Sequence, residues 1–95
     1  MDNERKRSNA KVYIAVAVDF DSNGKMRPRS LTWEDGQQYE IDRLLNVRPS
    51  YAAKAGGQGD RYTVRIGNKE RYLFFEHNPE YGKIVTGRWF VERKE

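Results

Sequence analysis

Between residues 11 and 20 the chain reads Lys-Val-Tyr-Ile-Ala-Val-Ala-Val-Asp-Phe, and its branched and aromatic residues Val12, Ile14, Val16, Val18 and Phe20 stand at every second position. A strand repeats its side-chain direction every two residues and a helix every 3.6, so this run buries a face only as extended chain. A lone strand has unpaired edges, and the following residues supply partners. Asn23-Gly24 suits a hairpin turn because both tolerate positive φ. A second strand is expected from Arg27 to Trp33, where Pro28, lacking an N–H, marks an edge position or a strand start. At Glu34-Asp35-Gly36 a three-residue loop pairs Leu31 with Tyr39 and Arg29 with Ile41, apolar beside apolar. A two-residue loop would set Leu31 against Glu40. The longer loop also puts Gly36 at the left-handed position of a bulged turn. A third strand is expected from Gln38 to Val47.

From Pro49 to Gly59 the pattern changes. Ser50 can cap one short helical turn near residues 50–55, closed by Gly56, with a flexible loop after it. Arg61 to Ile66 and Arg71 to Glu76 form a hairpin around Gly67-Asn68. Residues 78–82 read as a loop, and Ile84 to Glu92 as a last strand. Five or six short strands joined by tight turns point to an all-β antiparallel barrel, SH3-like or OB-like, because closure removes exposed edges. The expected core is Val12, Ile14, Val16, Val18, Leu31, Trp33, Tyr39, Ile41, Val64, Leu73, Phe75, Trp89 and Val91.

With 95 residues the chain has room for a single domain, here residues 11–95 behind a flexible basic tail at 1–10. The absence of cysteine excludes disulfides, thiol catalysis and thiolate metal sites. No stretch approaches the roughly 18 apolar residues of a membrane-spanning helix, and no apolar segment follows the charged first residues, so a cytoplasmic protein is expected.

Several small motifs invite a chemical reading. Asp19-Phe20-Asp21-Ser22-Asn23-Gly24 opens like a calcium loop, but Ser30 stands where the bidentate glutamate belongs, and the flanks are strands. A metal enzyme built on Asp19, Asp21, or the Glu40/Asp42 pair is therefore the weakest class, and a polar turn the simpler one. His77, the only histidine, lacks a nucleophile and an orienting partner, and reads as a strand-end residue. Lys54 to Arg61 is glycine-rich and basic but lacks the Gly-Lys-Ser/Thr of a phosphate-binding loop, so a plain connecting loop is favoured. Glu34 and Asp35 sit in a turn, and Glu40 and Asp42 share a strand face, with no pocket to raise a pKa. The chain is thus expected to be no enzyme and to need no cofactor.

Charge and aromatic content carry more. Lys and Arg number 18 against 14 Asp and Glu, a net +4. Arginine outnumbers lysine 11 to 7, and the bases concentrate between residues 43 and 71. In the Gly67-Asn68 hairpin, Tyr62, Val64, Ile66, Leu73 and Phe75 share the core face. Arg61, Thr63 and Arg65 lie opposite with Tyr72 and Phe74, and the last strand adds Arg88 and Phe90. An outer face of Arg61, Arg65, Tyr72, Phe74, Arg88 and Phe90 is the pattern that binds single-stranded DNA or RNA, arginines on phosphates and rings under bases. The same residues also suit a protein-interaction module, including a homodimer joined by a strand edge, and a sheet covered on both sides would show them too.

Trp33-Glu34-Asp35-Gly36-x-x-Tyr39-x-Ile41-Asp42, Lys54-Ala55-Gly56-Gly57-x-Gly59-x-Arg61-Tyr62-Thr63 and Trp89-Phe90-Val91-Glu92 together resemble a family of small uncharacterised bacterial proteins, mostly from Firmicutes, across residues 11–93. The resemblance implies a stand-alone cytoplasmic bacterial domain and carries no functional residues.

Overall fold

A computed structural model describes residues 9–52, 57–77 and 87–94. Residues 1–8 of the expected tail, the residues at 53–56, the loop at 78–82 and the strand start at 84–86 fall outside them, while Asn9 and Ala10, expected to end the tail, instead pair with Lys94 and Arg93 as strand.

The described chain forms β1 (Asn9–Phe20), β2 (Met26–Thr32), β3 (Gln38–Glu40), β4 (Arg43–Ala52), β5 (Gly57–Ile66), β6 (Lys69–His77) and β7 (Gly87–Lys94). Every pairing is antiparallel, in the order β3-β2-β1-β7-β6-β5-β4, and the sheet curls into a half-barrel. The all-β barrel-like expectation holds, with seven strands instead of five or six. No helical turn forms at 50–52. Tyr51 and Ala52 instead pair with Gln58 and Gly57 as the end of β4.

The extra strand comes from the segment expected to run unbroken from Gln38 to Val47. It bends at Ile41-Asp42. The Ile41 N–H donates to the Arg29 carbonyl of β2 (2.9 Å), and the next N–H, of Asp42, donates to the Arg65 carbonyl of β5 (2.8 Å). One short corner thus ties β2 to β5, each next to an end of the strand order, which draws the sheet round on itself. Asp42 secures the corner by accepting the Gly67 N–H on Oδ2 at 2.8 Å. β1 also joins the two halves of the sheet, since its first half pairs with β7 and its second with β2.

The turns show how locally the sequence acts. Leu31 pairs with Tyr39, and Gly36 takes a φ of 88° in the expected three-residue loop. The Asn23-Gly24 turn uses the same loop, not a two-residue one. Asp21 N–H donates to the Lys25 carbonyl, and only Gly24 has positive φ. Pro28 lies where β2 bulges against Val18 and beyond the reach of β3, so its missing N–H leaves no ladder bond unmade.

Leu31, Tyr62, Val64, Leu73 and Trp89 make the buried centre, with Ile14, Val16, Val18, Trp33, Ile41, Phe75 and Val91 packed around it. Tyr62 and Phe75 each set their rings 5.0 Å from Trp89. Gly59 permits this packing, because a Cβ there would run into the Phe75 backbone. Of the expected core only Tyr39, 38% exposed, stands out toward solvent.

Candidate nucleic-acid interface

Residues paired across antiparallel strands point to the same side of a sheet. Arg61 opposes Phe74, Thr63 opposes Tyr72, Phe74 opposes Phe90, and Glu76 opposes Arg88. The six residues expected to form an outer face, Arg61, Arg65, Tyr72, Phe74, Arg88 and Phe90, therefore do share one side of the sheet.

They do not play equal parts. Tyr72 is 51% exposed and carries the Arg61 guanidinium over its ring at 4.4 Å. Arg61 Nε is buried there with no hydrogen-bond partner among the described residues. Arg65 is exposed, with Glu70 at 4.0 Å as a loose ion-pair partner. Phe90 is a correction: at 1% exposed it presents no ring to a partner. It stacks flat on half-buried Phe74 (5.0 Å, 8° between planes) and meets the edge of Tyr13. These two phenylalanines form the floor beneath the face. Arg88 lies over Tyr13 at 3.9 Å.

Beyond the six, the fold adds residues that sequence reasoning missed. On β1, Lys11 sits 4.6 Å from the centre of the Phe90 ring and 3.4 Å from buried Glu76. The Tyr13 hydroxyl donates to that same carboxylate at 2.9 Å. This end of the face is thus internally neutralised. At the other end Glu70, opposite Arg65 on β6, offsets only part of the charge, at 4.0 Å. On β4, Arg43 stands directly opposite Arg65, and Arg48 directly opposite Arg61. Arg43 and Arg48 are five positions apart, which in a regular strand puts them on opposite faces. A bulge at Leu45 takes up one residue and turns both to the outer side. Like charges set opposite each other across a ladder cost stability. Two such pairs, about 13 Å apart along β5 at strand rise, make a strip of positive charge beside an accessible tyrosine.

The other motifs have structural occupations. Asp21 Oδ1 accepts the N–H groups of Asn23 and Lys25, and the bond from Lys25 lowers its pKa. Asp35 accepts the Gln37 N–H, Glu34 pairs with Arg93 at 3.0 Å, and Asp42 holds the corner described above. His77 ends β6 with its ring edge-on to Phe75. Gly57 and Gly59 lie within β5 and pair with β4, not in the connecting loop expected there. Among the described residues no cluster of acids and histidine is arranged to hold a metal ion, and no helix is long and apolar enough to cross a membrane.

Comparison with protein-family models, curated proteins and solved structures finds no match, and so bears neither on the bacterial resemblance nor on activity.

Proposed function

We propose that this chain binds single-stranded nucleic acid, DNA or RNA, on the outer face of β4, β5 and β6. The observation that carries the reading is the double arginine pairing, Arg43 with Arg65 and Arg48 with Arg61. A polyanion threaded between the paired guanidinium groups relieves their repulsion, and arginine suits phosphate because its planar fork contacts two oxygens at once. Tyr72 borders this strip with half its surface open, so a base unstacked from its neighbours can lie against the ring or against the Arg61 guanidinium above it. A duplex keeps its bases stacked inside and gains nothing from Tyr72. Arg88 and Phe74 extend and support the face, and Phe90 holds it from beneath.

Self-association through the edge of β4 is the less favoured alternative. That edge carries Arg43, Arg48 and Pro49, and charge and proline are what protect strand edges from pairing.

The test is a titration of the full chain against a fluorescent single-stranded oligonucleotide at about 50 and about 200 mM salt. The expected result is binding that weakens steeply across that step, competes poorly with duplex of equal length, and loses roughly 1–3 kcal/mol in Tyr72→Ala. Absence of binding at the lower salt overturns the proposal.

A further inference from the structure

β6 and β7 run side by side only from Phe74/Phe90 to His77/Gly87. At the Gly87 end they are pressed together, where a Cβ on Gly87 would strike the Glu76 carbonyl and the Phe75 ring. Past Phe74 and Phe90 the strands part. Residues 69–73 of β6 stay on β5, residues 91–94 of β7 stay on β1, and no ladder joins them. Between them opens a cleft of about 800 Å³ that reaches the barrel interior. Leu31, Trp33, Tyr39, Ile66, Leu73 and Val91 line it, together with the charged residues Glu70, Arg71 and Glu92.

We propose that this slot takes an extended peptide segment of a protein partner, with apolar side chains at alternate positions. Two observations select that occupant. Among the described residues two strand edges face the slot without ladder partners, and in each strand every second residue turns its N–H and C=O toward it, so the complementary ligand is itself a backbone in extended form. The interior below is apolar and includes two aromatic rings, which suits side chains projecting from one face of such a strand. The charged residues of its lining are mixed in sign, Glu70 and Glu92 with Arg71, unlike the arginine strip one strand away. The proposal stands apart from the nucleic-acid reading, and the two sites share Tyr72 and Phe74 along one rim.

The experiment selects binders to the full chain from a displayed library of random short peptides, then maps them by backbone-amide NMR. The expected outcome is enrichment of sequences with alternating apolar residues, whose binding shifts amides in residues 69–73 and 91–94. Tyr39→Ala, a change at a solvent-exposed ring that spares the buried centre, is expected to weaken that binding about tenfold. Arg43→Gln with Arg48→Gln is expected to leave it unchanged, whereas that pair governs oligonucleotide binding. No enrichment over the bare support overturns the proposal. So does binding insensitive to Tyr39→Ala, amide shifts confined to other strands, or an oligonucleotide that shifts residues 91–94.

Discussion

The arginine strip makes a quantitative prediction when Arg43 and Arg48 are both changed to glutamine. Binding to single strands weakens with salt at a slope of about −0.7 in log K per log salt for each phosphate neutralised. Arg43, Arg48, Arg61 and Arg65 acting on four phosphates give a slope near −2.8, so a step from about 50 to about 200 mM salt weakens binding roughly 50-fold. Without the two β4 arginines the slope falls to about −1.4, and the same step costs roughly 7-fold. Folding moves the other way. Each substitution removes one member of a directly opposed like-charge pair, a contact unfavourable by roughly 0.2–1 kcal/mol. Arg43 and Arg48 are both exposed, so little packing is lost. The double variant is therefore expected to melt no lower than the parent while binding less and responding less to salt. Fluorescence anisotropy at several salt concentrations, beside a thermal melt, reads both quantities. A variant that keeps the parental salt slope refutes the strip as the phosphate path. A variant that melts lower refutes the view that the paired arginines oppose each other in the folded chain.

Three further outcomes follow from packing and ionisation. Phe90→Ala removes a ring with 1% exposure from between Phe74 and Tyr13 and is expected to destabilise by about 3–5 kcal/mol, measured by denaturant unfolding. A loss below about 1 kcal/mol would show that Phe90 is not the floor of the face. Gly59→Ala forces a methyl group into the Phe75 backbone and is expected to separate β5 from β6 locally, seen as faster amide exchange at Phe75 and Glu76, whereas unchanged exchange would contradict the close approach. Burial raises the Tyr62 pKa, with the Asp60 charge adding to it. The folded state thus favours the neutral phenol. Its stabilisation is intact below pH about 10 and is lost as pH rises through the raised value. Alkaline unfolding is expected to shift to higher pH in Tyr62→Phe, and an unmoved curve would count against it.

What could be read before folding was local. The two-residue alternation of β1, the choice of a three-residue loop at Gly36, and the inward set of Val64, Leu73 and Trp89 all follow from side-chain period and turn chemistry, which act over a few residues. So did the common face of Arg61, Arg65, Tyr72 and Phe74, because the Gly67-Asn68 turn sets the register of its own two arms. The remaining features depend on residues far apart in the chain. Nothing near Ile41 and Asp42 announces that their N–H groups will bond to β2 and β5, strands four places apart in the sheet order. The bulge that swings Arg43 onto the side of Arg48 is legible only against β5. Tyr13 and Lys11 reached the face because β1 lies beside β7, and that same neighbour relation put Phe90 beneath it. Alternation assigns a side chain to a face. Whether that face holds a ring in reach of solvent, and which charges stand opposite one another, is set by which strands become neighbours and in what register, and those pairings form only when the whole sheet closes.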